Sequence, residues 1–259
     1  MEFIAYAACI LIGVVLGILG GGGSILSIPI LVYLLNVDVV MASAYSLFIV
    51  GATSFVGAIP KYKQHLVNLR TGFFFGLPSI VTIFCTRKWI VPSIPEIVWQ
   101  AESFTLTKRV LILGLFAILM ILASISMIRG AREIQNTNKR FRVVLVIIEG
   151  IIIGFLTGLV GAGGGFLIIP ALVLLTKLPF KTAVGTSLFI IAINSLVGFL
   201  GDVLNYSIDW SFLLSITALS IIGILIGNRI SKKIPAATLR KSFGWFVLIM
   251  GCWILFREL

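Results

Sequence analysis

The sequence has 259 residues, of which 59% are hydrophobic and only 11% are charged. Soluble domains carry about 25% charged residues, so this composition, with a mean hydropathy of +1.17, excludes an ordinary soluble protein. Apolar runs of about 20 residues recur along the chain, as expected for transmembrane helices. The net charge of +11 does not indicate nucleic-acid binding, because the Lys and Arg residues lie in short loops between apolar runs. We therefore predict an all-α polytopic membrane protein.

The predicted elements fall into two halves joined by a basic linker. In chain order, the first half (residues 1–128) contains a broken apolar run and three spans, at 3–35, 39–59, 69–85 and 109–128. Residues 129–142 form the linker, which we expect to be cytoplasmic because of its five Lys and Arg residues. The second half (residues 143–259) repeats this plan at 143–176, 180–200, 210–228 and 243–256. We interpret each half as one hairpin followed by three transmembrane helices.

Each half begins with a glycine-rich interruption of its first apolar run. Residues 17–29 read GILGGGGSILSIP and residues 158–170 read GLVGAGGGFLIIP, so the two segments align at an offset of 141. The alignment continues without a gap to residues 46–49 and 187–190, which both read SLFI. Glycines, a proline and a serine that match in one register indicate an internal duplication rather than chance similarity between apolar runs.

The positions of the twenty Lys and Arg residues favour a hairpin at each glycine interruption. If the broken segments turn back, fifteen of these residues lie on one side of the membrane and five on the other; if they cross, the split is nine to eleven. Only the split of fifteen to five indicates which side of the membrane is cytoplasmic. The return limbs, 24–35 and 166–176, reach only about 18 Å, which is too short for a hydrocarbon core of about 30 Å. We therefore predict two inverted-topology repeats, with both chain ends outside and hairpins entering from opposite sides, as in many secondary transporters.

The unwound backbone at these interruptions requires a polar partner, because lipid cannot satisfy exposed N–H and C=O groups. Glycine lets the backbone approach a ligand closely, and the helix that follows presents free N–H groups and a positive dipole end. Two such ends at the membrane midplane can hold an anion without a buried Lys or Arg. The predicted substrate-binding residues are Gly20, Gly21, Gly22, Gly23, Ser24, Ser46, Gly161, Gly163, Gly164, Gly165, Thr186, Ser187 and Asn194.

These residues also have an alternative, purely structural interpretation. Small residues permit close helix packing in membranes, and Ser or Thr side chains often hydrogen-bond to their own helix. The same alternative applies to further polar candidates on the apolar runs, which are Ser27, Ser43, Thr53, Ser54, Thr182 and Ser195.

Two titratable residues, Glu149 and His65, are candidates for chemistry inside the membrane. Glu149 is the one acidic residue well inside an apolar run, and an intramembrane carboxylate suggests proton coupling. The alternative is that Glu149 lies near the cytoplasmic interface and pairs with a neighbouring basic side chain. His65 is the sole histidine and lies in a loop, so neither a metal site nor a Ser-His pair can be built around it. We expect no cofactor, no metal and no catalytic residue.

The duplicated glycine stretch followed by Pro, the segment AVGTSL at 183–188 and the basic central loop resemble the TauE/SafE family of sulfite exporters, also called the toluene sulfonate uptake permease superfamily. The second copy matches more closely, since Tyr45 of the first copy stands where the second has Thr186. The resemblance covers essentially the whole chain. It implies transport of sulfite, thiosulfate or an organosulfonate across the bacterial inner membrane.

Together these observations predict a multi-pass plasma-membrane protein that acts as a secondary transporter of a small sulfur-containing anion. Its expected partners are that anion, the lipid bilayer and, through Glu149, protons. A passive anion channel is the alternative within transport. A membrane-embedded enzyme is less well supported, because it requires a nucleophile with a base, or a metal cluster, inside the membrane. Neither the anion nor the direction of transport follows from the resemblance.

Overall fold

The computed structural model describes residues 2–21, 23–101, 104–129, 139–176 and 178–258. Gly22 and most of the basic linker lie outside this part of the chain. Within the described residues, six helices are long and apolar enough to span a membrane. The prediction of an all-α polytopic membrane protein is thereby confirmed.

In the first half of the chain, two of the five helices begin at an Asp or Asn cap. The helices are α1 (Glu2–Leu19), α2 (Gly23–Leu34), α3 (Val39–Lys63), α4 (Leu69–Ser93) and α5 (Lys108–Arg129). Asp38 caps α3, because its Oδ1 accepts from the backbone N–H of Val40 at 2.8 Å. Asn68 caps α4, because its Oδ1 accepts from the N–H of Thr71 at 3.0 Å. Such caps satisfy N–H groups that have no partner within the helix.

The second half forms helices in the same order. They are α6 (Lys139–Val160), α7 (Gly165–Leu175), α8 (Phe180–Val203), α9 (Trp210–Ser231) and α10 (Ala236–Glu258). Asp209 caps α9 by accepting from the N–H of Phe212 at 3.1 Å. Asp209 and Asn68 are equivalent at the offset of 141. The corresponding helices α9 and α4 therefore begin in the same way.

A short antiparallel sheet lies where the sequence analysis leaves a loop between two spans. Strand β1 (Ile97–Ala101) pairs with β2 (Phe104–Thr107). Trp99 on β1 is 61% exposed, which suits an aromatic side chain at a membrane–water interface. The β-branched and aromatic residues of this segment favour strands, and the sheet is the one clear departure from an all-helical plan in the described chain.

The centre of the molecule is formed by α3 and α8, which run antiparallel. Phe48 packs on Phe199 with ring centroids 5.0 Å apart, and Gly51 lies beside Leu196. Residues with higher numbers on α3 contact residues with lower numbers on α8, so the two helices run antiparallel. These two helices are the most buried of the apolar spans, at 67% for α3 and 72% for α8. They are also the equivalent helices of the two halves.

Glycine-lined contacts join the outer helices across the two halves. α1 packs along α9, where a Cβ added at Gly13 would overlap the carbonyl oxygen of Ser220. α4 packs along α6, where a Cβ at Gly150 would lie 2.6 Å from the carbonyl oxygen of Phe75. Small residues permit such close backbone approach. The first helix of each half, α1 or α6, thus packs against a helix of the other half.

The first broken run folds back on itself as a hairpin. A Cβ at Gly23, where α2 begins, would overlap Leu16 near the end of α1. At the far ends of both limbs, Tyr6 and Leu34 line one cavity of about 560 Å³. The two limbs of this run therefore lie side by side and run antiparallel.

Candidate functional site

The two glycine interruptions, called here the first break (residues 20–23) and the second break (residues 161–164), lie in contact. Gly20 and Gly161 are equivalent at the offset of 141 and have φ angles of +75° and +81°, which glycine alone adopts readily. Gly21 lies against Gly165, since a Cβ added at Gly21 would overlap the backbone of Gly165. The structure thus joins two chain interruptions that are far apart in the sequence.

Each break also packs against the central helix of the other half. A Cβ added at Gly20 would overlap Val184 of α8, and one added at Gly161 would overlap Ser43 of α3. Val184 and Ser43 are themselves equivalent at the offset of 141. The two breaks therefore have corresponding surroundings at the centre of the molecule.

The serines that follow the first break hydrogen-bond to nearby backbone and to one another. Ser24 Oγ donates to the carbonyl oxygen of Gly21 at 2.6 Å, and Ser27 Oγ donates to that of Ser24 at 2.8 Å. The hydroxyls of Ser27 and Ser46 also share a hydrogen bond. These contacts satisfy a carbonyl group that the interruption exposes and tie α2 to α3.

Thr186 and Ser187, which the sequence analysis lists as substrate-binding residues, both have hydrogen-bond partners within the protein. Thr186 Oγ1 accepts from the backbone N–H of Asn68 at 2.9 Å, at the start of α4. Ser187 Oγ donates to the carbonyl oxygen of Val184 at 2.9 Å, one turn earlier in its own helix. The Ser187 contact is the back-bonding that the alternative interpretation describes.

Four buried hydroxyl or amide side chains of α3 and α8 have a polar atom with no hydrogen-bond partner among the described residues. They are Thr53 Oγ1, Ser54 Oγ, Asn194 Oδ1 and Ser195 Oγ. At the offset of 141, Thr53 corresponds to Asn194 and Ser54 to Ser195. Ser195 Oγ lies beside the second break, 3.0 Å from a Cβ added at Gly163. Buried polar atoms without partners are costly, so this cluster is suited to a polar ligand.

The remaining predicted glycines surround the start of α7 and the start of α2. Gly164 caps α7, and its carbonyl oxygen accepts from the N–H of Leu167 at 2.9 Å. The hydroxyl of Thr157 lies directly beside Gly164, and Thr157 Oγ1 has no hydrogen-bond partner among the described residues. Gly23 packs against α1, and Gly22 lies outside the described residues.

Arg87 is a residue of this region that the sequence analysis does not predict. The predicted span ends at residue 85 and the predicted site lacks a buried cation, yet α4 continues past Arg87, whose side chain is fully buried. A Cβ added at Gly161 would overlap Nη2 of Arg87. Nη1 donates to Ser43 Oγ at 2.9 Å and lies 3.4 Å from each carboxylate oxygen of Asp202. A buried ion pair therefore lies against the second break.

One sequence signal for this pair exists in the charge distribution. Arg87 follows the predicted span 69–85 and Asp202 follows the span 180–200, and the hairpin topology puts both on the less basic side of the membrane. Opposite charges at the same depth are able to pair. That α4 and α8 are neighbours, however, is visible only in the folded chain.

A cavity of about 130 Å³ lies at the other end of α3 and α8 and is lined by three lysines, Lys61, Lys181 and Lys232. Val184, the residue that packs against the first break, also lines this cavity. Lys61 is only 7% exposed. A positively charged cavity thus extends to the residue that covers the first break.

Glu149 lies on α6 and is half-buried. It forms no ion pair with any side chain that the structure describes, and its proton-coupling role stays a prediction. His65 lies in the turn between α3 and α4 with a φ of +56°. In the described part of the chain, no group of three or more His, Cys, Asp and Glu residues is arranged to hold a metal ion.

Comparison with known proteins identifies relatives along nearly the whole chain. The family model for the sulfite exporter TauE/SafE matches residues 5–254. A probable membrane transporter protein of Xylella fastidiosa (strain 9a5c) is 27% identical over 255 residues, which cover 96% of this chain and 92% of the relative. The probable membrane transporter protein YunE of Bacillus subtilis (strain 168) is 26% identical over 274 residues, with 95% and 94% covered. No solved structure matches the chain.

The names of these relatives describe transporters rather than enzymes. The six apolar helices of the structure agree with a protein that crosses the membrane several times. The chain therefore belongs to the TauE/SafE sulfite exporter family and is a multi-pass membrane transporter.

Proposed function

We propose that the protein is a secondary transporter of a small sulfur-containing anion, namely sulfite, thiosulfate or an organosulfonate. The anion binds between the two glycine breaks near the membrane midplane. The observation that carries this proposal is the contact of Gly21 with Gly165, which puts both interruptions of the membrane helices at one place. Irregular backbone at membrane depth is tolerated where it lines a cavity or is covered by protein, and in transporters it commonly forms the substrate site.

Polar atoms near the breaks support a ligand at this position. Thr53, Ser54, Asn194 and Ser195 are all buried and each has a polar atom without a partner among the described residues. The hydroxyls of Thr53, Ser54 and Ser195 can donate to a bound ligand with several oxygen atoms, whereas Asn194 Oδ1 can only accept. The three hydroxyl donors match the oxygens of sulfite or a sulfonate, which accept hydrogen bonds and carry the negative charge.

The electrostatics of the region favour an anion over a cation. α7 begins at Gly165, beside the contact of the two breaks, and the start of a helix attracts negative charge through its free N–H groups and its dipole. Arg87 adds a buried positive group at the second break, and Lys61 lines the cavity that extends to the first. The helix start and the lysines attract negative charge, and Arg87, whose charge Asp202 balances, supplies hydrogen-bond donors for an anion.

We further propose that the two halves are inverted repeats. Two observations support this arrangement. The equivalent helices α3 and α8 run antiparallel, and the first helix of each half packs on a helix of the other half, α1 on α9 and α6 on α4. Single cysteines at Gln64 and Lys233, in a cysteine-free background, should react with a membrane-impermeant thiol reagent from one side, and a cysteine at Asn205 from the other. Reaction of the Gln64 and Lys233 cysteines from opposite sides would refute the inverted topology.

A flux assay in proteoliposomes tests the function. The purified protein should carry at least one of sulfite, thiosulfate, taurine and sulfoacetate faster than protein-free liposomes do. Gel filtration and a cooperative thermal transition in detergent establish that the protein is folded. Absence of flux for all four anions with folded protein would contradict the proposal.

Counterflow separates a transporter from a passive channel. Liposomes loaded with unlabelled anion should accumulate labelled anion transiently above its outside concentration, because exchange at one alternating site couples the two fluxes. A channel only equilibrates the label. Flux without this transient accumulation would favour the channel.

A further inference from the structure

We propose that Arg87 binds the transported anion directly, as the positively charged residue of the site at the second break. This inference rests on the proposed transport of an anion and adds the residue that recognises its charge. It assigns a function to a side chain that lies fully buried in the protein, where an unneeded ion is expensive to retain.

The first argument is the position of the guanidinium group. Arg87 lies in the π-helical segment of α4, Thr86–Ile90, an irregularity that often marks functional sites. Its Nη2 occupies the space that a Cβ at Gly161 would need. The cation therefore touches the interrupted backbone itself, and no side chain stands between them.

The second argument is that two of the guanidinium nitrogens lack a hydrogen-bond partner. Nη1 donates to Ser43 Oγ at 2.9 Å and has Asp202 nearby, but Nε and Nη2 have no hydrogen-bond partner among the described residues. A buried donor of a charged group that lacks a partner is costly. The free donors lie on the side of the group that contacts the second break, and an oxyanion accepts from two such donors at once.

The third argument is that the ion pair with Asp202 is loose. Both Nη1–Oδ distances are 3.4 Å, whereas charge-assisted hydrogen bonds are about 2.7–2.9 Å long. Asp202 Oδ2 makes no hydrogen bond within the described residues. Asp202 neutralises Arg87 without accepting from Nε or Nη2, so the anion can bind these two donors while the carboxylate stays in place.

Neighbouring hydroxyls extend the site along the second break. Thr157 Oγ1 lies beside Gly164 and Ser195 Oγ beside Gly163, and neither has a partner in the described chain. Together with Arg87 at Gly161 they follow successive positions of one unwound segment. A tetrahedral or pyramidal oxyanion, with three oxygens on one sulfur, is the class of ligand that such a set of donors recognises.

The test measures anion binding and flux for variants of Arg87. Sulfite and thiosulfate are titrated into the detergent-purified full chain by calorimetry, and flux is measured in proteoliposomes. We expect Arg87→Gln to weaken binding about 10- to 100-fold, as for lost charge-assisted hydrogen bonds, and Arg87→Lys to weaken it about tenfold, because Lys lacks the fork. Arg109→Gln is the matched control, since Arg109 pairs with Glu258 and is 51% exposed, and it should bind like the wild type.

Variants of Asp202 separate anion binding from a purely structural ion pair. If Arg87 only neutralises Asp202, the double variant Arg87→Gln/Asp202→Asn should regain wild-type binding, since no charge remains unpaired. We expect the double variant to stay impaired, and Asp202→Asn alone to bind at least as tightly as the wild type.

The double variant also keeps the test valid if Arg87→Gln alone does not fold. Wild-type affinity in the double variant, or in folded Arg87→Gln, would overturn the role of Arg87 while leaving anion transport standing. If the wild type neither binds nor carries any of the tested anions, the proposed function itself fails.

Discussion

The two glycine breaks both begin with a glycine of positive φ but differ in the charged residues beside them. Arg87 and Asp202 pair at the second break. At the offset of 141, the equivalent positions in the other half are Asn228 and Lys61. Lys61 Nζ donates to the hydroxyl of Ser231 at 3.1 Å. The ion pair at one end of the central helices is thus replaced at the other end by a lysine that has no acidic partner among the described residues.

This difference shows which features the duplication has retained and which have diverged. The positive φ angles of Gly20 and Gly161 require glycine in both copies, so the two breaks begin with the same backbone conformation. The side chains that surround the breaks carry no such constraint. Arg87 and Asp202 are fully buried, whereas the Lys61 end contains a cavity of about 130 Å³. The two ends of the central helices therefore differ in charge pairing and in packing.

The largest difference between the breaks is expected when each first glycine becomes alanine. Both changes force a positive φ on alanine, which costs about 1–2 kcal/mol. Gly161→Ala should abolish flux, because the new Cβ overlaps Arg87 and also lies 2.7 Å from the backbone oxygen of Ser43. At Gly20 the three nearest atoms all belong to Val184, and the closest is a side-chain methyl carbon, so adding Val184→Ala to Gly20→Ala should restore part of the flux. Equal loss in all three variants would show that the breaks do not differ in this way.

The next largest effect concerns the buried ion pair. Asp202→Ala leaves Arg87 uncompensated and should destabilise the fold by about 3–5 kcal/mol. Ser231→Ala removes only one hydrogen bond to Lys61 and should cost about 1 kcal/mol. Thermal unfolding in detergent, with the two variants measured in parallel, compares the two ends. Similar transition temperatures for both variants would contradict the view that the ends differ in charge pairing.

A smaller effect is expected at the lysine cavity. Lys61→Gln should raise the KM for the anion about three- to tenfold with little change in kcat, because a positive cavity raises the local anion concentration. The effect should shrink at high salt. Lys63→Gln is the matched control, since Lys63 is exposed and does not line the cavity. Flux measured as a function of anion concentration gives both constants, and equal KM values in the two variants would exclude a role for the cavity.

The smallest expected change is in the pH dependence of transport. If Glu149 carries a coupled proton, Glu149→Gln should transport the anion down its gradient but lose the response to an imposed pH gradient, because glutamine cannot bind or release a proton. Flux with and without the pH gradient measures this. An unchanged response in Glu149→Gln would exclude Glu149 as the coupling residue.

The sequence predicts the all-helical membrane fold and the positions of the interruptions because both depend on local properties. Apolar runs of sufficient length specify the spans, and the matching glycines at 20–23 and 161–164 mark where helices stop. The resemblance of the repeated motif to the TauE/SafE family was likewise readable from residues alone, and the family model confirms it.

Features that depend on tertiary neighbours could not be predicted in this way. Arg87 follows an apolar run and looks like an end-of-span residue, but the continuation of α4 and the packing of α8 bury it. Thr186 aligns with the family motif, yet its hydroxyl accepts from the N–H of Asn68, a contact that depends on how α8 meets α4. The strands β1 and β2 are too short for a sequence pattern of period two to identify them.

The measurement that tests the central claim most directly is anion flux in Gly163→Leu. A side chain at Gly163 meets Val50 at 2.8 Å and Ser195 Oγ at 3.0 Å, so leucine fills the second break. Gly114→Leu is the matched control, because no atom lies within 4 Å of a Cβ added there. Both variants should insert into the membrane and purify as the wild type does. The account predicts that Gly114→Leu carries the anion at the wild-type rate and Gly163→Leu carries none; wild-type flux in Gly163→Leu would contradict it.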